Sequence, residues 1–115
     1  MRPDHLPAGS ASLLALSLLA SGDKYGYEMI AALEEKSNHT FTLKEGTLYP
    51  VLHTLERAGA ATVYQREAPT GRQRKYYHIT PKGRRLLEEK REQWHFFRAL
   101  VNAVVAEADG LPAPV

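Results

Sequence analysis

The C-terminal part of the chain limits the possible folds more than any other part. Its sequence predicts a single helix that is longer than the domain that precedes it. Thr80-Pro81 is a helix start, an N-cap residue followed by proline at the first helical position. Helix-forming residues continue to Ala108, which at 1.5 Å per residue predicts a helix of about 42 Å. The roughly eighty preceding residues form a domain with a radius of only about 12 Å, so the helix must project past them.

An apolar stripe follows this long helix. It recurs every seven residues with an intermediate position filled, although Lys90 interrupts it. A projecting helix with such a stripe is stable only when another surface covers it, and the simplest cover is a second copy of the chain. The sequence therefore predicts a homodimer. The predicted interface residues are Leu87, Trp94, Phe97, Val101, Val104 and Val105.

The residues before the long helix predict three shorter helices and then a β-hairpin. Helices are expected from Ser10 or Ser12 to about Ala20, from about Tyr25 to Ser37, and from about Thr47 to Gly59. Strands are expected over residues 62–66 and 73–79, joined by a loop that contains proline and glycine. Residues 40–43 alternate polar and apolar, as a brief strand would.

This order of helices and strands is that of a winged helix-turn-helix domain with an added dimerisation helix. The expected fold class is mainly α with a small β-hairpin, or α+β. The expected divisions are a flexible arm over 1–9, the winged-helix domain over 10–80, the dimerisation helix over 81–108 and a flexible tail over 109–115.

The positive charge of the chain is concentrated in one region. The whole chain carries a net charge of only +2, but residues 66–85 hold seven basic side chains and a single acidic one. Such a cluster indicates that a polyanion is met at one place. Arg72, Arg74 and Lys75 lie at the hairpin, where they can reach the phosphates of double-stranded DNA. The alternative is that these charges are simply solvated.

The third helix has one face that fits a core and one that does not. Leu48, Val51, Leu52 and Leu55 follow the spacing of a buried helical face. The residues left for DNA contact are Thr47, Tyr49 and His53, with Arg57 as either a phosphate contact or a solvated charge. A helix of this length fits a major groove about 12 Å wide.

Several function classes lack the residues that they need. Without cysteine, the chain has no disulfide, thiolate zinc site or cysteine nucleophile. Its five histidines form no i, i+4 pair, and no catalytic constellation is evident, so no metal, no cofactor and no enzymatic activity are expected. Residues 11–20 have the length of a signal-peptide core, but a buried first helix is the better interpretation. The expected location is the cytoplasm, with no membrane partner.

Several short motifs then make a specific resemblance. Tyr25-Gly26-Tyr27-Glu28, the stretch from Glu45 to Pro50, Gly71-Arg72 and the stretch from Arg74 to Tyr77 resemble the PadR family of transcriptional regulators over roughly residues 12–105. The length resembles the short subfamily, which has a single C-terminal helix. The resemblance implies a dimeric winged-helix repressor, of a kind often released from DNA by small aromatic compounds. Family members commonly have a basic residue where this chain has Thr54. The resemblance suggests that Lys44, at a different position, partly replaces that charge.

Trp94 admits two interpretations. It is either an aromatic residue of the dimer core or, with Phe97, one wall of a slot for a flat aromatic effector. The function as a whole also has an alternative, in which the winged helix is a protein–protein adaptor without specific DNA binding. The preferred hypothesis is a homodimeric repressor that binds a palindromic operator.

Overall fold

The computed structural model describes residues 9–108 and Gly110. Within this part the chain forms four helices and three strands. Their bounds are α1 Ser10–Ala20, β1 Lys24–Tyr25, α2 Gly26–Lys36, α3 Glu45–Arg57, β2 Ala61–Glu67, β3 Gln73–Ile79 and α4 Pro81–Ala108. The α+β class and the long last helix are therefore confirmed. The predicted arm and tail lie outside the described residues, apart from Gly9 and Gly110.

The helix α4 begins and ends where the sequence predicts. Its start is fixed by Thr80, whose Oγ1 accepts a hydrogen bond from the backbone N–H of Gly83 at 3.0 Å. The same hydroxyl donates to the carbonyl oxygen of Gly59 at 2.6 Å. Gly83 is also packed against the domain, since an added methyl group there would overlap the carbonyl oxygen of Ala60. The helix therefore leaves the domain from a closely packed joint.

One hydrophobic core holds the three short helices, the sheet and the base of α4 together. Met29 of α2, Leu48 and Leu52 of α3 and Leu87 of α4 belong to it. The side chains buried most completely are Leu16, Leu19, Met29, Leu43, Leu48, Leu52 and Ile79. The core lies between the helices and one face of the sheet, which leaves the other face and the far end of α4 outside it.

The sheet has three antiparallel strands in the order β1–β3–β2. Tyr76 of β3 is paired with Tyr25 of β1 on one side and with Tyr64 of β2 on the other. Because side chains alternate along a strand, Tyr76 and Tyr77 face opposite sides of the sheet. Tyr77 belongs to the main core, whereas Tyr76 is buried in a second, smaller cluster on the outer face.

Three local expectations were wrong. Residues 40–43 form no strand; they follow two residues of positive φ, Asn38 and His39, and Leu43 is buried in the core. The N-cap of α1 is Gly9 rather than a serine. The helix α3 begins at Glu45, earlier than expected, so that Pro50 falls in its second turn.

The end of α3 follows the glycine rule. Gly59 adopts a positive φ of 77° just after the helix. The N–H of Ala60 donates to the carbonyl of Leu55 at 2.8 Å, and the N–H of Gly59 to that of Glu56 at 3.0 Å. These two bonds satisfy carbonyls that the helix end would otherwise leave open. The chain then turns directly into β2, which sets the sheet beside α3.

Candidate nucleic-acid interface

The helix α3 exposes the residues that the sequence assigns to DNA. Leu48, Leu52 and Leu55 are at most 2% exposed and face the core. On the other side Thr47, His53 and Arg57 are exposed, and Lys44 is exposed at the N-cap position. The helix thus presents one polar face to solvent along its length.

Tyr49 lies on the border between these two faces. Its side chain is 38% exposed, and its ring lies directly over the backbone of Gly26 at the start of α2. A methyl group at Gly26 would overlap the Tyr49 hydroxyl, so only glycine admits this packing. The contact fixes α3 against α2 and holds the tyrosine ring at the rim of the polar face.

A solvent-open cleft separates α3 from the hairpin. Its volume is about 770 Å³, and its walls come from α2, α3 and both hairpin strands. Tyr49, His53, Arg74 and Lys75, all assigned to DNA from the sequence, meet in this cleft. Tyr27 also lines it and is 68% exposed; the sequence interpretation missed this residue.

Backbone hydrogen bonds within the hairpin loop fix its conformation. Gly71 adopts a φ of 88°, and its N–H donates to the carbonyl of Ala68 at 2.8 Å. The N–H of Ala68 in turn donates to the carbonyl of Arg72 at 2.8 Å, and Ala68 is only 3% exposed. Arg72 therefore extends from a defined loop and is itself exposed.

The outer face of the sheet carries a row of tyrosine rings with arginines on top. The rings of Tyr25 and Tyr76 meet edge to face with centroids 5.3 Å apart, and those of Tyr64 and Tyr76 are stacked at 5.8 Å. The guanidinium carbon of Arg66 lies 4.9 Å from the centroid of Tyr76, and that of Arg74 lies 5.8 Å from the centroid of Tyr25. Burial raises the pKa of Tyr76 above its usual value.

Asp23 binds the last tyrosine of this row, Tyr64. One carboxylate oxygen accepts a hydrogen bond from the Tyr64 hydroxyl at 2.6 Å, and the other lies 2.8 Å from Nδ1 of His78. The hydrogen bond from Tyr64, with help from His78, lowers the pKa of Asp23 despite the opposing effect of burial. The carboxylate thereby fixes the edge strand β2 to the turn before β1.

The distal part of α4 leaves its apolar stripe uncovered. Five of the six predicted interface side chains are 40–67% exposed: Trp94, Phe97, Val101, Val104 and Val105. Leu87 differs, since it is only 8% exposed and packs in the core of its own chain. Leu100 and Phe96 are also exposed, which makes the apolar band broader than a two-helix seam.

Trp94 and Phe97 lie next to each other on this band. Their ring centroids are 6.4 Å apart, and both line a hollow of about 230 Å³ beside the start of α1. Gly9, Ser10 and Leu13 form its other wall. The two residues assigned to an effector are thus brought together, at the point where α4 passes α1.

Among residues 9–108 no group of three or more histidine, aspartate or glutamate side chains is placed to hold a metal ion. No helix in that range is long and apolar enough to cross a membrane.

The fold and the basic cleft together define the class of the molecule, a winged-helix DNA-binding protein with a projecting C-terminal helix.

Comparison with known proteins gives the family. The model of the transcriptional regulator PadR-like family matches residues 15–89. A transcriptional regulator from Clostridium thermocellum superposes with a TM-score of 0.72 at 35% identity, over 79% of this chain and 88% of that one. A PadR family transcription regulator from hypervirulent Clostridium difficile R20291 superposes with a TM-score of 0.70 at 35% identity, over 84% and 99%.

A curated relative extends this result. The transcriptional regulator YqjI of Escherichia coli (strain K12) is 30% identical over 95 residues, which are 83% of this chain but only 44% of that protein. The chain belongs to the PadR-like family of transcriptional regulators. The resemblance seen in the sequence motifs is therefore confirmed, and the family is one of DNA-binding regulators rather than enzymes.

Proposed function

We propose that the protein is a homodimeric, cytoplasmic repressor that binds a palindromic operator and is released by a small aromatic effector. In this proposal residues 10–80 bind DNA and residues 81–108 dimerise. The observation that carries it is the pairing of two features in one chain: a basic cleft beside an exposed helix, and an uncovered apolar helix that projects away from it.

The contacts with DNA follow from the shape of the cleft. The helix α3 has 13 residues and is about 20 Å long, which suits entry into a major groove. Thr47 and His53 are the side chains best placed for base edges. Phosphates would be bound by Arg74 and Lys75, which line the cleft, and by Lys44, Arg57 and Arg72, which are exposed outside its lining, with Tyr49 at the rim.

The homodimer follows from the exposed stripe of α4. A soluble domain rarely leaves a continuous apolar band of this kind open to water. A second copy, related by a two-fold axis, would cover it and would also duplicate α3. The two copies of α3 would then meet half-sites separated by one DNA turn of roughly 34–36 Å, or a multiple of it.

The effector site rests on the hollow beside Trp94 and Phe97. At about 230 Å³ it is smaller than the roughly 300–1,000 Å³ of ordinary ligand sites. A second protomer would add its own aromatic pair and close the hollow around a flat ligand. A ligand that favours one packing of the two α4 helices would change the spacing of the α3 helices and so release the operator.

Sequencing of genomic DNA fragments retained by the purified protein tests the operator. The wild type should enrich one palindrome, and the double variant Arg72→Ala with Arg74→Ala should lose it because the hairpin no longer binds phosphates. A double variant of the distal helix, Arg91→Ala with Arg98→Ala, is the matched control for lost charge and should retain it. Uniform weak retention by all three proteins would instead favour the adaptor.

The effector has an independent test, since Trp94 is the only tryptophan of the chain. Its fluorescence should change when a panel of flat aromatic compounds is titrated into the protein, because such a ligand would stack beside the indole. The same compounds should lower the affinity for the retained palindrome. An unchanged emission spectrum across the panel would remove the effector from the proposal and leave the DNA-binding part intact.

A further inference from the structure

Two arginines are cross-strand neighbours on the outer face of the sheet. Arg66 of β2 and Arg74 of β3 are direct partners in the antiparallel register. Like charges placed directly opposite each other destabilise a strand pair. Among residues 9–108 neither guanidinium lies within salt-bridge distance of a carboxylate, although Asp23 attracts Arg66 from farther away. The free protein therefore holds two exposed positive charges on neighbouring strands.

Each of the two arginines lies over a ring of the tyrosine row. Arg66 lies over the ring of Tyr76 and Arg74 over that of Tyr25, both within the distance of a cation–π contact. Tyr76 is 2% exposed and Tyr25 is 9% exposed, so both rings are closely packed beneath the arginines. A guanidinium above a ring still presents N–H donors in a planar fork that matches two oxygens of a phosphate.

The position of the pair connects it with the cleft. Arg74 lines the cleft between α3 and the hairpin, whereas Arg66 lies one strand further out, on the edge strand of the sheet. The pair thus extends the positive surface of the cleft around the side of the hairpin. A DNA backbone that leaves the major groove at α3 would pass this surface next.

We propose that Arg66 and Arg74 each bind a backbone phosphate of the DNA that flanks the half-site, so that Arg66 adds a phosphate contact to the one at Arg74. The sequence interpretation assigned Arg74 to DNA but not Arg66, because Arg66 precedes the basic loop and stands next to Glu67. The inference rests on the proposed DNA-binding function. It adds that Arg66 contributes affinity without reading sequence, since a phosphate is the same at every base pair.

The test is duplex binding over a series of salt concentrations. The probes are a mixed-sequence duplex and the palindrome retained from genomic DNA, each measured by fluorescence anisotropy with the wild type and with Arg66→Ala. Each phosphate contact contributes about 0.9 to the slope of log affinity against log salt. Arg66→Ala should lower that slope by about one and should weaken both probes by the same factor.

Two further variants separate charge from geometry. Arg91→Ala removes another exposed arginine, on α4, and should leave the slope unchanged. Arg66→Lys keeps the charge, and so most of the slope, but should lose affinity because an ammonium group has no planar edge to offer two oxygens. Equal affinity of the lysine variant and the wild type would show that the stacked geometry has no role and would overturn the bidentate contact.

The outcomes also distinguish this inference from the function beneath it. If Arg66→Ala retains the wild-type slope while Arg72→Ala lowers it, the phosphate contact of Arg66 is overturned and the DNA-binding function stands. If the wild type binds neither duplex at low salt, the proposed function fails and the inference fails with it. A lower slope for Arg66→Ala beside an unchanged Arg91→Ala supports both.

Discussion

The two halves of α4 differ although they belong to one regular helix. The proximal half packs on the domain through Gly83 and Leu87, both of which are buried. Over residues 91–108 no side chain is buried, and large apolar side chains such as Trp94 and Val104 are exposed. The apolar pattern runs through both halves, with Lys90 as an interruption, so the difference lies in what covers it. The domain buries the first half, whereas the described residues leave the second half largely exposed.

This comparison indicates which part of the chain needs a partner. A large apolar side chain gains about 1.5–3 kcal/mol when it is fully buried. The proximal half has already realised this gain within one chain. The distal half realises it only in an assembly, so we expect its substitutions to change association, whereas proximal substitutions should change folding.

The largest expected effect comes from a charge in the middle of the distal stripe. Val101→Glu should weaken dimerisation by 100-fold or more, about 3 kcal/mol, because both copies bring an unpaired carboxylate into an apolar interface. The fold of the domain should remain, since Val101 is 40% exposed within the chain. Sedimentation velocity measures the association and circular dichroism checks the fold.

Asn102→Glu provides the matched control for this change. It adds the same charge one residue later, on the exposed polar side of the helix, and should leave the dimer intact. If Val101→Glu sediments as the wild type does, the distal stripe is not the dimer interface.

Gly83→Ala should give the next largest effect, and on folding rather than association. The added methyl group would overlap the Ala60 carbonyl oxygen and lie 2.8 Å from a side-chain carbon of Ile79. Overpacking of this kind lowers the free energy of unfolding by about 1–3 kcal/mol. Chemical denaturation measures it.

Gly46→Ala is the control, because a methyl group there meets no atom within 4 Å. In a helix the same exchange should raise the stability by about 0.5–1 kcal/mol. Equal denaturation midpoints for the two variants would contradict the close packing of the joint.

Thr80→Ala should have a smaller effect at the same joint. It removes the hydroxyl that caps α4 and that bonds to the carbonyl of Gly59. The loss of an N-cap costs about 0.5–2 kcal/mol, so the melting temperature should fall by a few degrees. Thr80→Ser keeps the hydroxyl and should melt close to the wild type; a drop as large as that of Thr80→Ala would assign the loss to the methyl group instead.

The smallest expected effect is the dependence of stability on acid. The lowered pKa of Asp23 means that its bonds stabilise the fold above its usual pKa of 3.8 and lose this contribution as the pH falls through the lowered value. Tyr64→Phe removes the main cause and should make unfolding less sensitive to pH in this range. Tyr27→Phe, at an exposed ring, is the control and should keep the full sensitivity.

The distal half of α4 should contribute little to this dependence. Its ion pair between Arg91 and Glu88 is exposed and 3.8 Å apart, a geometry that adds little stability. Acid unfolding that follows a substitution of Glu88 rather than of Tyr64 would reverse the assignment.

The sequence predicted the long elements well because each carries its own boundary signals. Thr80 and Pro81 mark the start of α4, and Gly59 marks the end of α3 through its positive φ. The strand β1 has only two residues, Lys24 and Tyr25, and its pairing with β3 depends on contacts far along the chain. A local pattern of this length gives no signal.

The sequence predicted most of the residues of the candidate site but not the contacts between them. The helical spacing left Tyr49 off the buried face, and the structure has it at the border of that face, but the spacing did not predict the backbone of Gly26 beneath its ring. Leu87 fits the seven-residue repeat, yet a repeat does not say whether the same chain or another covers it. Arg66 was missed because its partnership with Arg74 is set by strand register, which only the paired strands fix.

The hydroxyl of Thr80 gives the molecule a mechanical property. Through its two hydrogen bonds, the turn after α3 and the first turn of α4 are held by a single side chain. Gly83 is packed against Ala60 beside it, with no room for a side chain. This joint therefore sets the direction in which the 28-residue helix α4 leaves the domain, and in the proposed dimer the angle between the two α4 helices would set the angle between the two domains.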